Sequence, residues 1–313
     1  MLSERLPWIG EDPASQKLFE LAQRVAPVPT TILINGESGT GKKYLARLIH
    51  ELGPRRDTPF IQINSTTLPG KLVEAELFGY ERGGFPGAGE RKLGAFELSL
   101  KGTVVLEEVA ALTPQTQERL LRLLEEQKLE RLGGKESVRV EARLIAVTNV
   151  DMNSAVKDGR FRGDLYQRLD MAKIWVPPLR ERQADILPLT EHLLEILRTE
   201  HGKPLVRLGE KTKTLFQAYG WPGNVRELES VLERAIVHTK SETLEPEDFP
   251  AEIQAAGRHN GNGNGSLRAL EDVERETILV TLEATEYQIG KSAQILGISR
   301  KTLLEKRKKF GMK

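Results

Sequence analysis

A chain of 313 residues with 39% hydrophobic and 29% charged content has the apolar mass for a sizeable core and the length of about two domains. Its net charge of +1 leaves no global bias toward an acidic or basic partner, and the absence of cysteine excludes disulfides and thiolate metal sites and fits a reducing cytosol. No stretch approaches the roughly 18 apolar residues of a membrane span. The acid-flanked first ten residues lack a signal-type apolar core, so a cytoplasmic protein without a membrane partner is expected.

From about residue 15 to 175, β-rich runs alternate with helix-like stretches. Residues 31–34 form the first run, and Gly36, Glu37, Ser38, Gly39, Thr40, Gly41 and Lys42 follow it. An amphipathic helix is predicted over 43–50. Strand, glycine loop, lysine and helix make the P-loop arrangement. Glycines let successive backbone N–H groups turn inward around phosphate oxygens, the helix N-terminus adds partial positive charge, and Lys42 reaches the outer phosphates. The general motif places a Ser or Thr after the lysine as a magnesium ligand; here that position is Lys43.

Residues 60–63, 103–106 and 143–147 supply further runs, with a helix predicted over 114–128 between the last two. Strands separated by helices predict an α/β fold, a parallel sheet covered on both faces. Glu107 and Glu108 end the third run. An acidic pair there is suited to hold magnesium through its first member and to orient and deprotonate an attacking water through its second. Glu107 stands where Asp is usual, and its extra methylene alters the reach toward an octahedral ion. From about 183 to 250 the strand signal vanishes and an all-helical subdomain is expected. Residues 254–266, rich in Gly and Asn, cannot bury enough surface to offset their ordering entropy and read as a flexible linker.

The last segment reads as three helices. The first, 270–284, offers Val273, Ile278, Leu279 and Leu282 to a core; the second covers 290–296; Gly297 makes a turn and Ser299 caps a third running to about 309. From 289 to 313 there are eight Lys or Arg against one acid, Glu305. That surplus and the helix-turn-helix spacing point to DNA. Ser299, Arg300, Lys301 and Thr302 lie at the start of the recognition helix, where base edges are read, and Lys306 and Arg307 lie farther along, toward backbone phosphates.

These residues resemble the AAA+ activators that work with sigma-54 RNA polymerase, over 8–250 and again over 267–313. The P-loop GESGTGKK is similar to the family's GESGTGKE. Glu76-Leu77-Phe78-Gly79-Tyr80-Glu81 resembles ELFGHE, and residues 161–169 resemble FREDLYYRL. Residues 177–182 and 221–228 match PPLRER and WPGNVREL. The C-terminal GISRKTLLEKRKKFG resembles the end of the Fis-type helix-turn-helix. The resemblance implies an AAA+ parallel-sheet module (1–178), a helical lid (179–253), the linker (254–266) and a Fis-type domain (267–313). It implies ATP and magnesium as ligands. It assigns γ-phosphate sensing to Thr148 and Asn149, restraint of Glu108 to Asn64, arginine fingers acting on a neighbouring subunit's nucleotide to Arg162 and Arg168, and a lid contact to nucleotide to Arg226. Fingers acting between subunits imply a ring oligomer. Fis-type domains dimerise, which implies DNA with two-fold half-sites.

The family's polymerase-contacting loop, GAFTGA, corresponds to residues 83–88, with Phe85 kept and threonine replaced by Pro86. Proline fixes φ and removes an N–H along with the hydroxyl. Lys43, Glu107, Gly163 and Pro86 are the departures from the family pattern. Two functions therefore stand side by side: an enhancer-binding activator that uses ATP on sigma-54 polymerase, and a DNA-bound regulator that acts without such remodelling. With the P-loop so near the start, no N-terminal sensory or receiver domain is expected, and control by a regulatory protein in trans, or by synthesis level, takes its place.

Overall fold

Runs of aliphatic and β-branched residues between amphipathic helices become five parallel strands in the computed structural model. It describes residues 7–85, 88–239, 241–259, 274–275, 277–279, 281–282, 285 and 287–310. Of the expectations above, Pro86 and residues 260–273 lie outside these. The chain divides into two compact units, residues 1–257 and 258–313.

In the first unit, α1 (Pro13–Val25) precedes β1 (Ile32–Asn35), α2 (Lys42–Leu52), β2 (Phe60–Asn64) and α3 (Gly70–Phe78). A one-turn α4 (Ala95–Leu98) leads to β3 (Thr103–Glu107), α5 (Pro114–Glu126) and the antiparallel pair β4 (Lys128–Glu130) and β5 (Ser137–Arg139). Then come β6 (Arg143–Thr148), α6 (Met152–Lys157), α7 (Gly163–Leu169) and β7 (Lys173–Trp175). The main sheet has the order β2-β3-β6-β1-β7, and every pairing is parallel. Strand alternation sends Leu33, Val104, Leu106, Leu144 and Ala146 into one core with Leu77, Phe78, Leu120 and Leu165. It sends Ile32, Ile34, Val105, Ile145 and Val147 into another with Leu18, Leu45 and Ile49. Each of these Leu, Ile, Val and Phe side chains contributes about 1.5–3 kcal/mol relative to exposure, so the sheet is held from both faces. Edge strand β7 carried no sequence signal: it is three residues long and only its middle residue, Ile174, is buried.

The lid follows as α8 (Ile186–Glu200), α9 (Glu210–Ala218), α10 (Asn224–His238) and α11 (Ala251–His259), packed around Phe216, Trp221 and Phe249. Trp221 is fully buried, and its indole N–H donates to the Phe216 carbonyl at 2.8 Å. The lid is not entirely helical. Strands β8 (Arg207–Leu208) and β9 (Thr243–Leu244) pair in parallel, a two-residue ladder too short to carry a period of its own. Residues 254–259, expected as part of the linker, are helical instead. Helix α11 runs through His259, anchored by buried Ile253, and Ala255 and Ala256 favour helix.

In the second unit, residues 274–275, 277–279 and 281–282 are helical, followed by α12 (Ile289–Ile295) and α13 (Arg300–Lys309). Ile278, Leu282, Ala293 and Leu303 form its core. Leu279, expected in that core, is 38% exposed. It follows Ile278 directly, and one residue of helix rotates a side chain about 100° off the buried face.

Candidate functional site

The order of the sheet places the C-terminal ends of β3, β6 and β1 side by side, and three sequence motifs leave the sheet at that edge. The P-loop follows β1, Glu107 ends β3 with Glu108 just after it, and Thr148 ends β6 with Asn149 just after it. Open parallel sheets bind ligands beyond such carboxyl ends. Asn35 begins the loop by accepting from the Gly36 N–H at 2.7 Å. Lys42 opens α2, and its Nζ donates to the carbonyls of Gly36 and Glu37 at 2.7 Å each. Burial pushes the Lys42 ammonium below its ordinary range; the nearby Glu108 carboxylate opposes this and Arg226 reinforces it. Lys42, Glu108 and Arg226 thus share one electrostatic neighbourhood.

Glu108 has left-handed backbone (φ 51, ψ 47), which turns the chain sharply where β3 ends. Glu107 is 5% exposed. Register pairs Asn64 with Glu107, and Asn64 Nδ2 lies 3.4 Å from Glu107 Oε2. Asn64 therefore contacts the first acid of the pair, because in-register neighbours on adjacent parallel strands face the same side. Thr148 is buried and accepts from the Val150 N–H at 3.1 Å, while Asn149 is exposed at the strand end.

The lid closes on this loop through contacts that the sequence reading did not anticipate. Arg180 holds Glu37 with two hydrogen bonds, at 2.6 and 2.8 Å. Buried Asn224 accepts from the Leu179 N–H at 2.7 Å and donates to the Ser38 carbonyl at 3.0 Å and to Glu37 at 3.2 Å. These bonds from Arg180 and then Asn224 hold the Glu37 carboxyl at about 2, well below its ordinary value. The Glu37 side chain is thus a clasp between loop and lid. Arg226 donates to Ser38 Oγ at 3.0 Å, the Val225 N–H to the Gly39 carbonyl at 3.0 Å, and Arg182 to the Thr40 carbonyl at 2.7 Å. Gly39, at φ +79, sits so close to the lid that a Cβ would come within 2.2 Å of the Gly223 carbonyl oxygen. The signal for this clasp lay in the matched motifs at 177–182 and 221–228, which hold Arg180, Arg182 and Asn224.

Beside Thr40 and Gly41, Trp8, Tyr44, Val176, Leu189, His192 and Val225 line a cavity of about 240 Å³ with mostly apolar walls. Such walls suit a flat heterocycle.

Lys43 Nζ lies 2.7 Å from Glu107 Oε2, in an ion pair whose carboxylate is almost fully buried. Magnesium needs oxygen donors in tight octahedral array. Lys43 offers N–H donors and no lone pair, and it places a positive charge on the acid that was to face the metal. These residues do not fit magnesium held in the expected way.

Arg162 and Arg168 are exposed. Arg162 pairs with Asp164 at 2.7 Å, and Arg168 donates to the Leu124 carbonyl at 3.2 Å. Neither is hydrogen-bonded to the P-loop of its own chain. Phe85 is half-buried, its ring edge-on to Tyr80 at 4.9 Å. The base of this loop is braced by buried Arg131, which reaches Glu97 at 2.6 Å and Glu81 at 2.7 Å.

In the second unit, Ser299 Oγ accepts from the Thr302 N–H at 3.1 Å and caps α13. Arg300, Lys301, Lys308 and Lys309 are exposed. Arg300 also lies against Gly290, where a Cβ would meet its Nη2 at 2.8 Å. Lys306, expected on phosphates, is ion-paired with Glu274, and Arg307 is half-buried.

Comparison with known proteins matches residues 8–175 to the Sigma-54 interaction domain, 180–266 to the AAA+ ATPase lid domain and 269–310 to the bacterial regulatory protein, Fis family. The transcriptional regulatory protein ZraR of Salmonella typhimurium is 41% identical over 95% of this chain, which spans 67% of that protein. Regulatory protein AtoC of Escherichia coli is 37% identical over 97%, spanning 68% of it. The nitrogen fixation protein AnfA of Azotobacter vinelandii is 37% identical over 97%, spanning 57% of it. Among solved structures, NtrX from Brucella abortus in complex with ADP has a TM-score of 0.74 at 31% identity, covering 98% of this chain and 70% of that one. NtrX in complex with ATP has a TM-score of 0.72 at 33% identity, covering 97% and 69%.

Proposed function

The chain belongs to the sigma-54 interaction domain family of AAA+ transcriptional regulators, and from that premise we propose that it is a DNA-bound activator of sigma-54 RNA polymerase. In this reading it holds ATP between its P-loop and its lid. The observation that carries the reading is the clasp of Arg180, Asn224 and Arg226 on Glu37 and Ser38. A triphosphate in the glycine loop would lie beside this clasp, with the exposed Arg226 the side chain within its reach. The base takes the apolar cavity beside Tyr44 and Val176, and the phosphates take the α2 N-terminus and Lys42. That NtrX has been solved with both ADP and ATP supports a nucleotide as the ligand.

Hydrolysis in this reading uses Glu108 as the base that deprotonates water, and Arg162 and Arg168 act on the nucleotide of a neighbouring copy in a ring. Both are exposed, on α7 and just before it, and each is held only by a surface contact within its own chain. Arg300, Lys301 and Thr302 face operator DNA as a two-fold pair of domains, the protein works in the cytoplasm, and a regulatory protein acts on it in trans. A second reading, regulation from DNA without remodelling the polymerase, is favoured by one observation, the Lys43–Glu107 pair.

The test is open-complex formation at a sigma-54 promoter carrying the operator, with and without ATP, for the wild type and Lys42→Ala. ATP should raise both open complex and melting temperature in the wild type alone. Operator binding and ATP stabilisation without open complex would leave the second reading. Equal stabilisation of both proteins would reject nucleotide binding through the P-loop.

A further inference from the structure

Two lysines open α2 in succession and point to different partners. Lys42 turns back on the loop carbonyls. Lys43 reaches across to β3, where its ammonium sits 2.7 Å from Glu107 Oε2, with Asn64 Nδ2 at 3.4 Å from the same oxygen. The Glu107 side chain is 6% exposed and that of Lys43 56% exposed, so the carboxylate is buried beneath an ammonium whose outer side is open. An ammonium has three donors. One satisfies Glu107, and the others remain for a ligand at the mouth of the P-loop.

We propose that the Lys43 ammonium, seated on Glu107, takes the place of the divalent cation, so that this site binds ATP free of metal. The inference rests on the nucleotide-binding reading above. A metal in a P-loop site supplies positive charge between the outer phosphates and the acid that ends the neighbouring strand. Here a covalently attached charge already occupies that line. Lys42, Lys43 and Arg226 together offset the triphosphate, with the α2 N-terminus behind them. Metal-bound ATP arrives carrying its own cation, which would lie against Lys43 with no lone pair to receive it, and so it binds more weakly than the free form.

The experiment titrates the full chain with ATP by calorimetry, in excess EDTA and again in excess magnesium, for the wild type, Lys43→Arg and Lys43→Thr. The wild type should bind metal-free ATP at least as tightly as the magnesium complex. Lys43→Arg, which keeps the charge, should retain metal-free binding. Lys43→Thr, which supplies the hydroxyl of the general P-loop motif, should reverse the order and favour the magnesium complex by about tenfold or more, near 1.4 kcal/mol. Thermal melts without nucleotide check that the variants are folded. A wild type that prefers the magnesium complex about tenfold overturns the proposal. So does a Lys43→Thr variant with the preference of the wild type. Absence of ATP binding by the wild type in both buffers instead overturns the nucleotide-binding reading, and the inference with it.

Discussion

Replacing Asn224 by alanine should unfasten the lid from the P-loop, and the structure sets the size of the effect. Asn224 is fully buried and spends both ends of its amide. Its oxygen accepts from the Leu179 N–H at 2.7 Å, and its nitrogen donates to the Ser38 carbonyl and to Glu37 at 3.0 and 3.2 Å. Truncation leaves the Leu179 N–H buried without its partner, a penalty of about 1–3 kcal/mol. The bond to the Ser38 carbonyl contributes about 1 kcal/mol. The bond to Glu37 counts for less, because Arg180 still holds that carboxylate with two donors. Asn224 also has φ +55, a conformation asparagine tolerates better than alanine. The loss should come to about 3 kcal/mol of lid stability. Urea unfolding followed by tryptophan emission in a Trp8→Phe background reads it, since Trp8 is half-buried against Phe19, whereas Trp221 is buried in the lid core and Trp175 is 54% exposed and already in water. ATP affinity should fall as well, because the loop that holds phosphate loses its brace. A midpoint shift corresponding to less than about 1 kcal/mol would refute the reasoning. It would mean that the backbone bond from Val225 to Gly39 and the contacts of Arg180 and Arg182 suffice to seat the lid.

Glu37 should give the clasp an acid limb. Its carboxyl is held near 2, below its ordinary 4.5, so its stabilising contribution is fully present above 4.5 and is lost as pH falls toward 2. The stability gap between the wild type and Glu37→Gln should therefore narrow over that interval, and a gap that stays constant or widens would contradict the assignment. At the proposed subunit contact, Arg168→Glu should weaken ATP-dependent self-association measured by sedimentation without changing the melting temperature by more than a degree or two, since the exposed guanidinium makes a single long bond to the Leu124 carbonyl. For DNA, Ser299→Ala removes the cap of α13 and should destabilise the second unit by about 1 kcal/mol. Lys301→Ala, fully folded, should weaken operator binding and lower its salt dependence, as checked by fluorescence anisotropy at several salt concentrations.

Much of this molecule was legible one segment at a time. The P-loop, the acid pair closing β3, the strands β1, β2, β3 and β6 and the capped helix after Gly297 are local patterns. Their signals are short-range: glycine where φ is positive, short runs of apolar residues, a serine before a basic helix. The Fis-type end could be read for the same reason, although burial and pairing then sorted its residues, turning Leu279 outward and tying Lys306 to Glu274.

The sequence alone set strands β1, β2, β3 and β6 and the chemistry available at the sheet edge; the tertiary structure decided which of those groups meet. Arg180 and Asn224 lie 143 and 187 residues from Glu37, and no periodicity connects them. Their meeting depends on the lid folding back over the loop, with Gly39 small enough to let the Gly223 carbonyl approach. The contact of Asn64 with Glu107 came from the register of β2 on β3, which pairs the two residues. Lys43 and Glu107 could each be recognised in the sequence as a departure from a pattern. That the two departures answer each other, an ammonium on the carboxylate in place of a metal, follows only from the parallel sheet that sets the start of α2 beside the end of β3.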